Sequence, residues 1–470
     1  MAQCNFQDPV LGHAAMAARG GAMCSFLIAL AAFQRGLKVT FHRTTLAKNQ
    51  RFNGRMSNGT TGHLFSIEDG TTRHFFNRTL GSLTSPRASA ISNDKVLTKK
   101  VLQAANIRSP RGTYFTRGDT ETVEKFIEAS TKSRFVIKPV AGSLAIGAYI
   151  DIGPEEAIRL SREHEDSKLI IEEYVQGKDM RIQVVGEKCI SALMRDPANV
   201  TGDGRSNIKT LVAAKNAQRA RNPMYYNCLI ELDAEKRATL RSTGLSLSSV
   251  PGKGEKVYLS RLKSRRRGAD FVEVLGGVND SLKRVCVACC KALQLPNSGL
   301  DVIVSDDPDD PGAYVLEANQ RPFIGTSSFL SAQPWAGNAI AEAMIDQYFP
   351  ETAQQHRFVN ACFNFRPILD ALASTHIDEV SLPVLDENWA HVRYRFPHQA
   401  SRDAGLQYLL ISGAHLWSLK LTDGREMVDA LLSPQSQTAL KTFRPALDAA
   451  DSEMSGYLLA KVPKDEPADA

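Results

Sequence analysis

Several features that define protein classes are missing from this chain. It has no run of about 20 apolar residues, so no membrane-spanning helix is expected among its 470 residues. Its 8 cysteines carry no Cys/His ligand spacing, which argues against a structural zinc centre. They fall in apolar stretches, adjacent Cys289 and Cys290 included, as buried thiols of a reducing, cytoplasmic compartment do. Charge of one sign is scarcely in excess, at a net +6, and only Arg261 to Arg267 concentrate it. Neither nucleic acid nor a membrane is therefore an expected partner. No Ser/His/Asp or Cys/His arrangement suited to nucleophilic catalysis is legible. Internal repeats and low-complexity tracts are lacking as well.

What is present is a chain long enough for two to four domains. Residues 1–92 alternate helix-like and strand-like pieces rich in glycine, as a small N-terminal α/β domain does. Within them Ala22 to Phe33 is apolar, and Ala29-Leu30-Ala31 resembles a signal-peptide cleavage region. Arg19 is the only positive charge before the stretch, which runs through Gly36 into a strand, so a buried helix is the expectation. Residues 93–350 form the next span. Asn93-Asp94 caps a helix Lys95 to Ala105, another helix runs from Thr120 to Ser130, and a strand follows over Arg134 to Lys138. A small-residue loop, Ala141 to Gly147, leads to a strand over Ala148 to Asp151. Lys168 to Val175 turns at Gln176 to Asp179 and returns as Met180 to Val185. Strand pairs joined by short glycine turns predict antiparallel sheets with helices to one side, an α/β (α+β) architecture. The helix Ser281 to Leu293 places Leu282, Val285, Cys289 and Leu293 on a core face. Residues 351–470 change character, with strand-like runs at Glu379 to Leu385, His391 to Phe396 and Leu406 to Leu421. A polar tail after Lys461 reads as disordered.

The segment Gly299 to Pro322 reads as an antiparallel hairpin turning near Asp309. Asp301 then lies opposite Glu317, with Asn319 on the same face, because side chains along a strand repeat every second residue. Three oxygen donors without His or Cys suit magnesium, with manganese as the alternative ion. An ordinary hairpin with an acidic turn remains open on this segment alone, and Asp306 to Asp310 read as solvated loop. Lys138 followed by the loop holding Ser143 has the composition of a phosphate grip. Glu172, Glu173 and Val175 offer an edge for a base, and Asp179 an acid for ribose hydroxyls. Each piece is also ordinary surface patterning. Their order is the informative feature: lysine and loop, base edge, the strand carrying Arg181, Asp301, then Glu317-x-Asn319.

In that order, and in the strings Ile171 to Arg181, Val200 to Gly204, Gly299 to Asp301 and Leu316 to Asn319, the chain resembles the ATP-grasp superfamily of carboxylate–amine ligases. The strings are most similar to the ATP-grasp portion of cyanophycin synthetase, over roughly residues 70 to 350. The resemblance implies a pre-ATP-grasp domain over 1–92, an ATP-grasp domain over 93–350 and an accessory region over 351–470. It further implies that Lys95 or Lys99, with Lys138 and Ser143, contacts ATP. Glu172, Glu173 and Val175 would hold adenine, Asp179 ribose, and Asp301, Glu317 and Asn319 the metal. Arg261 would face the γ-phosphate or acyl phosphate, and the loop Asp203-Gly204-Arg205 would close over the site. Arg181 and Gly325, Thr326 and Ser327 would meet substrate, although Gly325 to Ser328 also read as the cap of a helix from Ser331 onward. Arg265 and Arg267 have two readings: a solvated basic bulge on a strand, or guanidinium groups for an anionic substrate.

The chain departs from cyanophycin synthetase at 263–269, where Lys-Ser-Arg-Arg-Arg-Gly-Ala replaces Asn-Leu-Ser-x-Gly-Gly, and in a glycine-poor loop at 142–147. The resemblance does not extend to that enzyme's second ligase domain, which speaks against polymer synthesis. What it implies is an ADP-forming ligase joining small acid and amine substrates, as a homo-oligomeric dimer or tetramer. Modification of a peptide or protein, or ATP binding without turnover, are the alternatives.

Overall fold

The structure is a computed structural model. It describes residues 15, 17–18, 20–43, 60–140, 147–331, 335–353, 361–374, 376–385, 388–396, 415–420, 426–434, 437 and 455–460. Ser143, the loop around it and the tail after Lys461 lie outside these residues, as does most of the run Leu406 to Leu421. Contacts divide the chain into two compact units. One comprises 1–82, 196–270 and 323–470, the other 83–195 and 271–322. Both are discontinuous in sequence, unlike the three consecutive spans drawn from the sequence.

In the first unit the helix Ala22–Phe33 is buried along all 12 residues and packs on the helix Ala339–Tyr348. Gly36, at φ 75°, lets the chain turn from the helix into the strand Lys38–His42. That strand is inside a five-stranded antiparallel sheet, flanked by Leu64–Glu68 on one side and by Glu379–Ser381 on the other. The region after 350 thus supplies an edge strand to the N-terminal sheet. Ala390–Phe396, His415–Lys420, Glu426–Leu432 and Ser455–Ala460 form a separate antiparallel sheet.

The second unit carries two antiparallel sheets. The first is built from strands β1 (Gly112–Thr116), β2 (Phe135–Pro139), β3 (Tyr149–Ile152) and β4 (Lys168–Glu173), in the order β1-β4-β2-β3. Val123 and Phe126 from the helix Thr120–Glu128, with Ala157 and Leu160 from Pro154–Glu163, cover its apolar face. The second sheet holds β5 (Gly177–Val185), β6 (Lys188–Asp196), β7 (Asp270–Glu273), β8 (Asn297–Ser305) and β9 (Ala313–Asn319), in the order β7-β6-β5-β8-β9.

Against one face of the second sheet lies the helix Asp280–Ala292, started by an Asn279 side chain that accepts from the Leu282 N–H. Leu282, Cys286, Cys289, Cys290 and Leu293 are buried there, and Val285 packs half-buried against the same core, so the expected face holds with Cys286 and Cys290 added to it. Cys286 and Cys289 also stand at CxxC spacing, contrary to the reading of the cysteines as free of ligand motifs. Both face an apolar core, and burial pushes the Cys289 thiol up to about 12, so neither is a ready thiolate. Because alternate residues of β5 and β8 enter this core (Ile182, Val184, Leu300, Val302), the intervening residues are turned to the opposite, polar face.

The two sheets are joined at Tyr174 to Gln176, after which Gly177 pairs with Ser305. A Cβ on Gly177 would stand 2.1 Å from the Val304 carbonyl oxygen and 2.8 Å from Ile303 Cγ2. Backbone cannot yield as a side chain does. Gly177→Ala is expected to cost about 1–3 kcal/mol through overpacking, measured as a lowered urea midpoint.

Candidate functional site

The helix α1 (Lys95–Ala104) begins where the Asp94 carboxylate accepts from the N–H groups of Val96 and Leu97. Lys95 and Lys99 are four residues apart and share one face of it. Lys95 Nζ donates to the Val140 carbonyl at 3.2 Å. Lys99 reaches Glu172 Oε1 at 2.9 Å and the Pro110 carbonyl at 2.6 Å. On β2, Lys138 lies two residues from Val136, the cross-strand partner of Glu172, and its ammonium is 2.6 Å from Glu172 Oε2. Glu172, with a side chain 3% exposed, is thus held between two lysines that are 16% and 18% exposed.

Burial alone would raise the Glu172 pKa, but the ammonium groups of Lys138 and Lys99 outweigh it and hold the carboxyl below its ordinary value. Burial lowers the Lys99 pKa, and the charge of Lys138 adds to that, against the opposing pull of Glu172. Tyr114 is pushed up by burial and by the charges of Glu172 and Asp94. The carboxylate that the resemblance gives to adenine is here the counter-ion of both lysines. Glu173 is likewise engaged: its side chain accepts from Ser130 Oγ at 2.7 Å, and its N–H donates to the Arg111 carbonyl. Val175 lines a cleft of about 330 Å³ together with Lys132, Tyr174, Asp306 and Asp307.

On the polar face of the second sheet, Leu193, Arg181, Asp301 and Glu317 are cross-strand neighbours in one row. The expected hairpin register holds: Asp301 pairs with Glu317, and Gly299 with Asn319. Arg181 grips Asp301 with both arms, Nε to Oδ1 at 2.6 Å and Nη2 to Oδ2 at 2.8 Å. Asn319 Nδ2 donates to the Gly299 carbonyl at 3.3 Å, which leaves the amide oxygen as an acceptor. A Cβ on Gly299 would meet Arg181 Nη1 and Gln183 Oε1, each at 3.1 Å, so the glycine makes room for both side chains. Two half-buried carboxylates and one amide oxygen on adjacent strands are a hard-oxygen donor set that fits magnesium or manganese.

The hairpin tip is less free than a solvated loop. Lys132 pairs with Asp307 at 2.9 Å and Asp310 at 3.4 Å, and Arg108 also binds Asp310.

Arg195, on β6, was not among the residues singled out from the sequence. Its guanidinium stands 3.7 Å from Asp179, the acid that the resemblance gives to ribose. Counting back from the turn at Gly186-Glu187 hides this pair. Lys188 and Cys189 pair with Val185 and Val184, but an irregularity before Ser191 shifts the register by one. Without that bulge, Arg195 would fall opposite Lys178 instead.

Arg261, Arg265 and Arg267 belong to the first unit, as do Gly325, Thr326 and Ser327. Arg265 to Arg267 form a 3₁₀ turn ended by Gly268 at φ 98°, which corrects the strand reading. Arg265 donates to the Met224 carbonyl at 3.2 Å. Arg267 is committed to Glu235 at 2.6 Å and Asp233 at 3.2 Å, while Arg261 is exposed. Gly325–Ser328 is itself a single helical turn, and the next helix starts at Ala339 and not at Ser331. Gly325 is packed: its Cβ would meet Met23 Cγ at 2.8 Å and Met224 Sδ at 2.9 Å. Asp203 folds its loop internally. N–H groups of Ser206 and Arg205 on its carboxylate hold its pKa down to about 2.

Residues 92–220 match the RimK-like ATP-grasp domain family. The glutathione biosynthesis bifunctional protein GshAB of Clostridium perfringens is 30% identical over 279 residues, covering 57% of this chain and 36% of that protein. GshAB of Enterococcus faecalis is 30% identical over 281 residues, with 56% and 36% covered. A crystal structure of a bifunctional glutathione synthetase from Pasteurella multocida superposes with a TM-score of 0.50 at 26% identity, over 62% of this chain and 40% of that one. This chain has an ATP-grasp fold, and its residues 92–220 are similar to a RimK-like ATP-grasp domain. It spans 36% of the length of either GshAB protein. The family match takes in Lys95, Lys99, Lys138, Glu172, Asp179, Arg181 and Arg195, whereas Asp301, Glu317 and Asn319 lie beyond its end. Among the described residues of this ATP-grasp chain, no helix is long and apolar enough to cross a membrane.

Proposed function

We propose that the chain is an ATP-dependent ligase that joins a carboxylate to an amine, with ADP and phosphate as by-products. The observation that carries this reading is the in-register pair Asp301 and Glu317, in the same unit as the paired lysines Lys99 and Lys138. A carboxylate is a poor electrophile, and phosphorylation by ATP turns its oxygen into a leaving group that an amine can displace. Lys99 and Lys138 supply charge for the phosphates. Asp179 would take the ribose hydroxyls, and the Glu173 to Val175 edge the base. Asp301, Glu317 and Asn319 would hold magnesium, which on binding neutralises charge on the transferring phosphoryl group. No protein nucleophile is called for.

The substrates belong to the amino-acid and peptide class, the class named by the glutathione-biosynthesis relatives. Arg265, half-buried and donating to a carbonyl, has the guanidinium chemistry that suits an anionic one. Incubation with ATP, magnesium and a panel of amino acids and short peptides is expected to yield ADP and phosphate only when an acid and an amine are both present. Formation of AMP and pyrophosphate would refute the acyl-phosphate route.

A further inference from the structure

The polar face of the second sheet holds a cation in the place where the proposed function needs another. Both carboxylate oxygens of Asp301 accept from Arg181, through Nε at 2.6 Å and Nη2 at 2.8 Å. The pair is partly shielded, with side chains 26% and 27% exposed. Glu317 is the next cross-strand neighbour of Asp301 on the side away from Arg181. A guanidinium and a divalent cation on one carboxylate repel each other at such range, so a fork that engages both oxygens opposes entry of the ion. The fork fits there because residue 299 is glycine: a Cβ would stand 3.1 Å from Arg181 Nη1.

We infer that Arg181 is the resident counter-cation of the metal carboxylates: it holds Asp301 when no divalent ion is bound and must let go when one binds. This rests on the metal reading of Asp301 and Glu317 given above. The arginine then has a positioning role toward two partners. Released by an ion that arrives alone, its guanidinium has lost a carboxylate and gained nothing. Released in the presence of a triphosphate, it has phosphate oxygens to meet. Divalent metal on its own therefore binds weakly, and metal and nucleotide assist each other.

The test is calorimetric titration of the full chain with manganese chloride in the absence of nucleotide, a readout independent of turnover. Arg181→Ala is expected to bind the ion about tenfold more tightly than the native protein, since the competing fork is gone, with Arg181→Lys in between. Arg195→Ala removes an equal charge from a different carboxylate of the same unit, Asp179, and is expected to stay within about twofold of native. Should Arg181→Ala misfold, Arg181→Met keeps the alkyl stem and is expected to show the same gain. The inference is overturned if the Arg181 variants bind manganese no more tightly than native. It is equally overturned if Arg195→Ala gains as much, because the effect would then be a diffuse field. Adding Glu317→Gln to Arg181→Ala is expected to abolish the gain. Persistence of the gain in that double variant would place the ion elsewhere and overturn the metal reading together with the inference.

Discussion

Replacing Glu317 with Gln is expected to lower turnover by about 10²-fold or more, with the fold intact. Gln matches Glu in size, and Glu317 sits half-buried on β9 beside the irregularity at Leu316, whose backbone the change leaves untouched, so the β-ladder with Asp301 survives. What is lost is one of two carboxylates proposed to hold the ion against the transferring phosphate. Asp301 alone, already engaged by Arg181, is left to do so. The check is steady-state ADP release under saturating ATP, magnesium and substrates, alongside far-UV circular dichroism. A variant within about threefold of native turnover would remove Glu317 from the site, because loss of one group acting on developing charge costs far more than that.

Glu172→Gln is expected to destabilise the protein by about 3 kcal/mol at neutral pH, since it leaves two shielded ammonium groups without the anion that compensates them. An exposed ion pair such as Lys132–Asp307 is worth less than about 1 kcal/mol by comparison. The pH dependence has a definite sign. The lysines hold the folded-state pKa of Glu172 below its ordinary value, so its stabilisation is complete above the unfolded carboxyl pKa of about 4.3 and is lost as pH falls through the folded value. Urea midpoints of native and Glu172→Gln protein should therefore differ most above about pH 5 and converge in acid. Equal midpoints at pH 7 would show that the lysines do not need Glu172. ATP affinity should fall as well, because Glu172 is the group that supports the charge of Lys99 against burial and Lys138.

Much of this arrangement was legible in the sequence where it depended on local pattern. The Asp301–Glu317 pairing was expected from strand alternation about a turn near Asp309 and holds across a one-residue irregularity at Leu316, and the helix of Lys95 and Lys99 was legible from its Asp94 cap. Non-local facts were not legible. The strand Glu379–Ser381 joins Lys38–His42 across more than three hundred residues, and no local pattern announces such a partner. One bulged residue near Ile190 brought Arg195 to Asp179 against a straight count. The basic run looked like strand because it follows Val257 and Leu259, yet Gly268 at positive φ closes it into a 3₁₀ turn. Charge pairing was the largest gap. Composition reveals which residues are ionic, but only the fold shows that Glu172 faces two lysines and that Arg181 faces Asp301.

The most direct test follows the oxygen of the acid substrate. Once the panel has identified an acid and amine pair, the acid is supplied with ¹⁸O in its carboxylate and the released phosphate is examined by ³¹P NMR. Passage through an acyl phosphate transfers one ¹⁸O to phosphate in every turnover, and that is the predicted result. Phosphate free of label, with amide still formed, would contradict the account.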